Sequence, residues 1–175
     1  MINQSKAEYS PLNSGTLSNV YALEKSSVTK GTRPFETEKE ITKRDNKGNV
    51  LEYKTKEDTY VSQIWGYNDT KLVAELRNVR YNEISSTTIS NIKGRSSSIP
   101  LFGAPSLDTS YSALRTAHPN GFITTYTYIP MVGLKTTTDA NGRKETYQYD
   151  NFNRLYRVLN HEGNIIKEYN YNIKN

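Results

Sequence analysis

The sequence has 175 residues and no cysteine, which excludes disulfides, zinc sites of the cysteine type and thiol nucleophiles. Its two histidines, His118 and His161, belong to no cluster with metal-ligand spacing. Gly-x-Ser-x-Gly, P-loop and dinucleotide-binding motifs are also missing from the sequence. We therefore predict a protein without catalytic residues, metal or cofactor.

Long apolar runs are absent too. No window approaches the roughly eighteen apolar residues that a membrane span needs, so we predict no membrane span. Met1 is followed by INQSKAEYS, which does not have the pattern of a signal peptide. If the native protein is exported, we expect its export signal to lie outside these residues.

Charge of one sign is never concentrated. The 23 Lys and Arg residues exceed the 18 Asp and Glu residues, which gives a net charge of +5. Basic and acidic residues alternate, however, as in ETEKEITKRDNKGN at residues 36–49. Because no basic run forms, we interpret the excess as a solvated surface and predict no nucleic-acid partner.

Tyrosine is the residue that the chain has in abundance. Only 34% of residues are hydrophobic, yet 14 are tyrosine, against 4 Phe and 1 Trp. A tyrosine ring can cover a sheet while its hydroxyl reaches water or a partner. This composition favours a thin β-structure over a globule with a deep core.

A repeat of about 21 residues organises the second half of the chain. HPNGFITTYTY, DANGRKETYQY and NHEGNIIKEYNY, from residues 118, 139 and 160, align with one another, and a fainter copy, DNKGNVLEYKT, lies upstream. A period of this size indicates stacked supersecondary units. The residues that set the turns of these units are Asp45, Gly48, Gly121, Asp139, Gly142 and Gly163.

Each unit can be interpreted with backbone rules. Asp139 is an acceptor at the start of a type I turn, and Gly142 stands where the chain takes a positive φ. Along 144–149 the residues alternate, which predicts a half-buried strand with its tyrosines facing inward. The sequence DNFN at 150–153 then predicts a second turn, so one period contains two strands and two turns. We expect neighbouring units to pair tyrosines across strands.

These patterns predict an all-β fold of successive antiparallel β-hairpins in a curved, repeat-type sheet. We predict loose or edge-strand structure for 1–34, a divergent β unit for 35–84 and repeat hairpins for 119–175. Residues 85–118 are predicted as a Ser-rich connector, flexible at NIKGRSSS (91–98), and its first part, 85–100, as the boundary between the two repeat regions. The connector contains at most a short helix near 109–117, with Asp108 or Ser110 as its N-cap.

The stretch DANGRKETYQYDNFNRL, with the following NHEGNIIKEYNY, resembles the RHS/YD-repeat family of bacterial surface and secreted proteins. The similarity covers residues 119–171 and, more faintly, 44–81. It implies a structural scaffold at the cell surface or outside the cell. Members of this family carry toxins in polymorphic systems, or serve in adhesion and carbohydrate binding. The resemblance implies neighbouring repeat units as partners.

The aromatic and charged residues of the units are candidates for ligand binding. Tyr147 and Tyr149, and upstream Trp65 and Tyr67, could stack on sugars; the alternative, which we favour, is packing between units. Similarly, Asp150 and Arg154 could hold an anionic or hydroxylated ligand, or could pair with each other and cap turn amides. Surface glycans and self-association through edge strands are therefore further partner predictions.

Overall fold

The computed structural model describes residues 3–12, 20–97 and 106–171. The chain divides into two compact units, Met1–Phe122 and Ile123–Asn175. The described residues contain eleven β-strands, two α-helices and one turn of 3-10 helix. The predicted all-β fold of successive antiparallel hairpins is confirmed.

Six strands of the first unit lie side by side in chain order, each antiparallel to the next. They are β1 (Asn3–Pro11), β2 (Tyr21–Lys30), β3 (Glu36–Arg44), β4 (Val50–Thr55), β5 (Tyr60–Gly66) and β6 (Lys71–Arg77). Among the described residues, β1 stands at one end of the strand order and β2 pairs with strands on both sides. The loose or edge-strand structure of residues 1–34 stays a prediction. Residues 13–19 of that segment lie outside the described part of the chain.

The core of the first unit lies at β5 and β6. Their side chains Val61, Ile64 and Leu76 are fully buried. Helix α1 (Ser86–Ser97) contacts β5 and contributes the buried Ile92. The approach is so close that a methyl group at Gly66 would overlap the side chain of Ser96.

Helix α1 corrects the prediction of a flexible connector. Its sequence, STTISNIKGRSS, is rich in residues of modest helix propensity, so composition favoured a loop. Packing of the buried Ile92 against the sheet outweighs that local preference. The rest of the predicted boundary segment, 98–100, lies outside the described residues.

A second helix, α2, spans Leu107–Ala117, close to the predicted short helix. Its N-cap is Ser106, whose side chain accepts a hydrogen bond from the N–H of Thr109, so neither predicted N-cap residue is correct. Asp108 lies in the first turn instead, where its charge complements the helix dipole.

The second unit contains five strands, again antiparallel and in chain order. Strand β7 begins at the last residue of the first unit. The strands are β7 (Phe122–Ile129), β8 (Gly133–Thr138), β9 (Lys144–Tyr149), β10 (Leu155–Leu159) and β11 (Ile165–Glu168).

The strand register reproduces the sequence period. Tyr128 pairs with Leu134 across β7 and β8, and Tyr149 pairs with Leu155 across β9 and β10. Both tyrosines precede their leucine by six residues, as the alignment of the repeats requires. One period therefore contains two strands and two turns, as predicted.

Four reversals in the described residues share one hydrogen-bond pattern. Oδ1 of Asp139 accepts the N–H groups of Asn141 and Arg143 at 2.9 and 2.8 Å, and the N–H of Gly142 donates to the Asp139 carbonyl at 3.1 Å. Gly142 has the predicted positive φ, +79°. A fourth bond runs from the Asp139 N–H to the Arg143 carbonyl at 3.0 Å. The same four bonds recur in the turns that begin at Asp45, Asp150 and Asn160.

Gly121 differs from the other repeat glycines. Gly48, Gly142 and Gly163 have φ values of 87°, 79° and 87°, whereas Gly121 is not in the left-handed region. It is required for a different reason: a Cβ at this position would lie 2.6 Å from Cγ2 of Val79. At Gly121, close packing against Val79 requires glycine, whereas at the other three positions the backbone conformation does.

Two predictions about the tyrosines are wrong. The direct strand partners of Tyr126 and Tyr147 are Thr137 and Val158, so tyrosines do not pair directly with tyrosines in these strands. In β9, both faces have intermediate exposure except at the exposed Lys144. This part of the sheet is too thin for one face to become a buried core.

Replacing Gly142 with alanine should destabilise the protein by about 1–2 kcal/mol, because an L-residue resists the left-handed conformation. Gly94 is the matched control. It lies inside helix α1 with no atom within 4 Å of its Cβ position, so Gly94→Ala should stabilise by up to about 1 kcal/mol. Urea denaturation measures both changes. Equal effects of the two substitutions would contradict the turn geometry.

Candidate functional site

Asp150 uses both carboxylate oxygens within its own turn. Oδ1 accepts the N–H groups of Phe152 and Arg154 at 2.8 and 2.9 Å. Oδ2 accepts a hydrogen bond of 2.8 Å from Nε of Arg154 and forms an ion pair of 2.8 Å with its Nη2. The Arg154 N–H, with the guanidinium and the Phe152 N–H, holds the pKa of Asp150 below its usual 3.8 despite the opposing effect of burial.

Two aromatic rings flank the Arg154 guanidinium. Its Cζ lies 4.5 Å from the ring centre of Tyr171 and 5.2 Å from that of Phe152. Arg154 therefore connects its own turn to Tyr171, three residues past the end of strand β11. An anionic ligand would have to displace Asp150 to use the same donors.

Tyr147 and Tyr149 lie two residues apart on one face of β9. Their hydroxyls donate to Glu145 at 3.1 Å and to the carbonyl of Leu134 at 2.9 Å. The Tyr149 ring covers Gly133, where any side chain would collide with it. Burial raises the pKa of both hydroxyls, so both remain protonated donors near neutral pH.

Two further contacts of the same kind as that of Tyr149 lie in the described residues. Trp65 Nε1 donates to the Val50 carbonyl at 2.7 Å, and the Tyr171 hydroxyl donates to the Leu155 carbonyl at 2.7 Å. In each case an aromatic residue at or just beyond the end of one strand reaches the start of the preceding strand. The main-chain pairing between neighbouring strands ends before it reaches these positions. The last pair between β4 and β5 is Glu52–Ser62, and the last pair between β8 and β9 is Thr136–Thr146. The aromatic side chain continues the pairing where the backbone ladder has ended.

Tyr67 begins an unusual turn in the first unit. Tyr67, Asn68 and Asp69 have consecutive positive φ values of 50°, 60° and 63°, each costing about 1–2 kcal/mol for an L-residue, less for Asn and Asp. Ser96 and Ser97 of helix α1 accept the N–H groups of Tyr67 and Asn68 at 3.0 and 2.9 Å.

Lysines secure the far end of this turn. Lys93 and Lys47 approach the Asp69 carboxylate at 2.7 and 3.0 Å and hold its pKa below 3.8, against partial burial. Asn68 stands where the repeat pattern has aspartate. Its position in the sequence departs from the pattern, and its turn departs from the shared hydrogen-bond arrangement.

The predicted ligand residues thus lie in two different units. Tyr147, Tyr149, Asp150 and Arg154 belong to the second unit, whereas Trp65 and Tyr67 belong to the first. All six are of intermediate exposure, and every one has a polar group engaged in an internal hydrogen bond. Their role in ligand binding stays a prediction.

Sequence reasoning missed a buried carboxylate in the first unit. The Glu52 side chain is fully buried. Its Oε1 accepts from Thr42 at 2.7 Å and from Arg80 at 3.4 Å, and its Oε2 accepts the N–H of Tyr81 at 2.7 Å. Glu52 thereby fixes the chain between β6 and the 3-10 helix to the sheet. Nothing in the local pattern LEYK distinguishes this glutamate from an exposed one.

Burial would raise the pKa of Glu52, but hydrogen bonds from Thr42, Tyr81 and Arg80 outweigh it and hold the pKa below 4.5. The carboxylate is therefore ionised near neutral pH and has no proton to donate. This chemistry suits a structural anchor and does not suit a general acid.

Within residues 3–12, 20–97 and 106–171, no group of three or more His, Cys, Asp or Glu side chains could hold a metal ion. His161 lies 3.9 Å from Glu162 on the surface, and His118 is the C-cap of helix α2. Among the described residues, neither helix has the length and apolar character needed to cross a membrane.

A family comparison identifies the region that contains Asp150. Residues 132–164, from the start of β8 to the turn before β11, match the RHS repeat family model. These residues are therefore similar to an RHS repeat. The resemblance to the RHS/YD-repeat family is thereby confirmed, and the turns at Asp139, Asp150 and Asn160 all fall within the matched residues.

Solved structures similar to this chain include TcdB2-TccC3-TEV, with 12% identity and a TM-score of 0.47 over 90% of this chain. TcdB2-TccC3-Cdc42 has 12% identity and a TM-score of 0.46 over 95% of this chain. The present chain spans only 7% and 8% of those two chains. No curated protein sequence matches it.

Tyr149→Phe should lower the free energy of unfolding by about 0.5–1.5 kcal/mol, because the Leu134 carbonyl loses its donor. The control is Tyr156→Phe. Its hydroxyl makes a 3.3 Å bond to Gln148, which water can replace, so the cost should be below about 0.5 kcal/mol. Denaturant titration of both variants measures the difference. A larger loss for Tyr156→Phe would contradict the role assigned to Tyr149.

Glu52→Gln should destabilise the protein at pH 7 by about 1–3 kcal/mol, because an amide accepts the three donors poorly. Glu52 has a depressed pKa, so its stabilisation is present above the unfolded value near 4.5 and disappears as the pH falls through the folded value. The stability difference between parent and variant should therefore shrink on acidification below pH 4.5. A difference that is constant between pH 7 and pH 3 would contradict the ionised anchor.

Proposed function

We propose that this chain is a non-enzymatic structural β-scaffold module of a larger bacterial surface or secreted protein. The observation that carries the proposal is the use made of Tyr149, Asp150 and Arg154. In the RHS repeat these residues hold turns and strand ends together. Side chains that are committed to main-chain groups support a scaffold role over a binding site.

Neighbouring repeat units are the proposed partners. All four residues of β11 are exposed, and Ile165 and Ile166 remain 49% and 44% accessible. An exposed strand with apolar side chains at the end of a sheet favours pairing with a further strand. We place the protein outside the cell or at its surface, with toxin carriage or adhesion as the role of the larger protein.

Carbohydrate binding is the second candidate function. The observation in its favour is the exposed aromatic surface beside Arg154: Phe152 is 74% and Tyr171 is 45% accessible. Aromatic faces next to a guanidinium can bind a sugar ring and its hydroxyls. This surface differs from the Tyr147 and Tyr149 platform predicted from the sequence.

A glycan array distinguishes the two functions when it is combined with two variants. For a scaffold, the parent binds no glycan, and Tyr149→Ala melts at a lower temperature than the parent because strand-end contacts are lost. For a sugar-binding module, the parent binds a glycan, and Phe152→Ala abolishes binding with little change in melting temperature. Saturable glycan binding lost in Phe152→Ala would overturn the scaffold proposal. Turnover of glycosides or peptides by the parent would overturn its non-enzymatic part.

A further inference from the structure

The sequence contains two Asn-Gly pairs, Asn120-Gly121 and Asn141-Gly142. Both asparagines are exposed, and both glycine N–H groups donate to the carbonyl three residues earlier, at 3.0 Å from His118 and 3.1 Å from Asp139. The two sites therefore have the same dipeptide and the same hydrogen bond from the glycine N–H. They differ in the atoms that surround the glycine.

Asn-Gly is chemically labile because glycine, which has no Cβ, leaves its amide nitrogen accessible to the asparagine side chain. That nitrogen loses its proton and attacks Cγ of the asparagine. A bond from nitrogen to Cγ forms, the bond from Cγ to Nδ2 breaks, and ammonia leaves. Water then opens the cyclic imide to aspartate or isoaspartate. The reaction needs no oxidant or enzyme.

The attack requires the glycine nitrogen to leave its hydrogen bond and the chain around it to rotate. At Gly142 the space is open: no atom lies within 4 Å of its Cβ position, and its neighbours Asn141 and Arg143 are exposed. The opening also breaks the bonds from the Asn141 and Arg143 N–H groups to Asp139 Oδ1, 2.9 and 2.8 Å long, but it moves only the end of a hairpin. Local openings of this kind cost little free energy.

At Gly121 the same rotation meets packed atoms. Cγ2 of Val79 lies 2.6 Å from the Cβ position of Gly121, and Val79 itself is only 4% accessible. The Asn120 carbonyl also accepts a hydrogen bond from the Asn78 side chain at 3.4 Å. Rotation here disturbs the packing of a core residue and therefore needs a larger opening.

We propose that Asn141-Gly142 is a spontaneous modification site, at which the folded protein converts asparagine to aspartate and isoaspartate, whereas Asn120-Gly121 is protected by Val79. Isoaspartate adds a methylene group to the main chain inside the turn. The pair between the Asp139 N–H and the Arg143 carbonyl, 3.0 Å long, cannot persist with the lengthened chain. The reaction thus disrupts the turn at Asn141-Gly142 and leaves Asn120-Gly121 unmodified.

The test is a time course of the intact chain at mildly alkaline pH, followed by trypsin digestion and mass spectrometry. Cleavage after Arg115, Lys135 and Arg143 places the two sites on separate peptides, 116–135 and 136–143. Labelling by isoaspartyl methyltransferase identifies the isoaspartate product. We expect Asn141 to react about tenfold faster than Asn120 in the folded protein. Equal rates, or a faster reaction at Asn120, would overturn the proposal.

Two controls separate structure from sequence. In denaturant the sites should react at similar rates, since the packing at Gly121 is gone; a tenfold ratio that persists there would overturn the structural explanation. Val79→Ala should accelerate Asn120 and leave Asn141 unchanged, because it removes the Cγ2 atom nearest to Gly121. An unchanged rate at Asn120 in this variant would also overturn protection by Val79.

Discussion

Four reversals in the described part of this chain depend on a single side-chain oxygen that accepts two main-chain N–H groups. Oδ1 of Asp45, Asp139, Asp150 or Asn160 bonds the amides two and four residues further on, at 2.8–3.0 Å. Turn amides cannot join a strand ladder, and unsatisfied ones destabilise the fold. Because the Asp or Asn side chain of the turn accepts these N–H groups, they are not left without a hydrogen-bond partner. A sheet with little buried core can then fold back on itself repeatedly.

Aromatic side chains meet the same need at the strand ends. Trp65, Tyr149 and Tyr171 each donate to a carbonyl that lies past the last main-chain pair. The rings cover the thin sheet, and the polar groups extend its hydrogen bonding. Phenylalanine, which has no donor, could not form the contacts that Tyr149 and Tyr171 make.

The first unit is stabilised differently. Helix α1 covers β5, and the ionised Glu52 anchors the segment that leaves β6 for the helices. Three left-handed residues after Gly66 are tolerated because serines of α1 and two lysines hold them. Here long-range contacts compensate for local strain, whereas in the second unit each turn is stabilised by its own residues.

The sequence by itself determined the turns at Asp45, Asp139 and Asp150 and the order of the hairpins, because each of these follows from residues a few positions apart. The positive φ of Gly142, +79°, and the hydrogen bond from the Asn141 N–H to the Asp139 side chain both depend only on neighbouring residues. Only the tertiary structure decided that Glu52 is buried, that a Ser-rich segment forms helix α1, and that Val79 packs against Gly121. These features depend on atoms brought together from distant parts of the chain, whose packing outweighs local propensity.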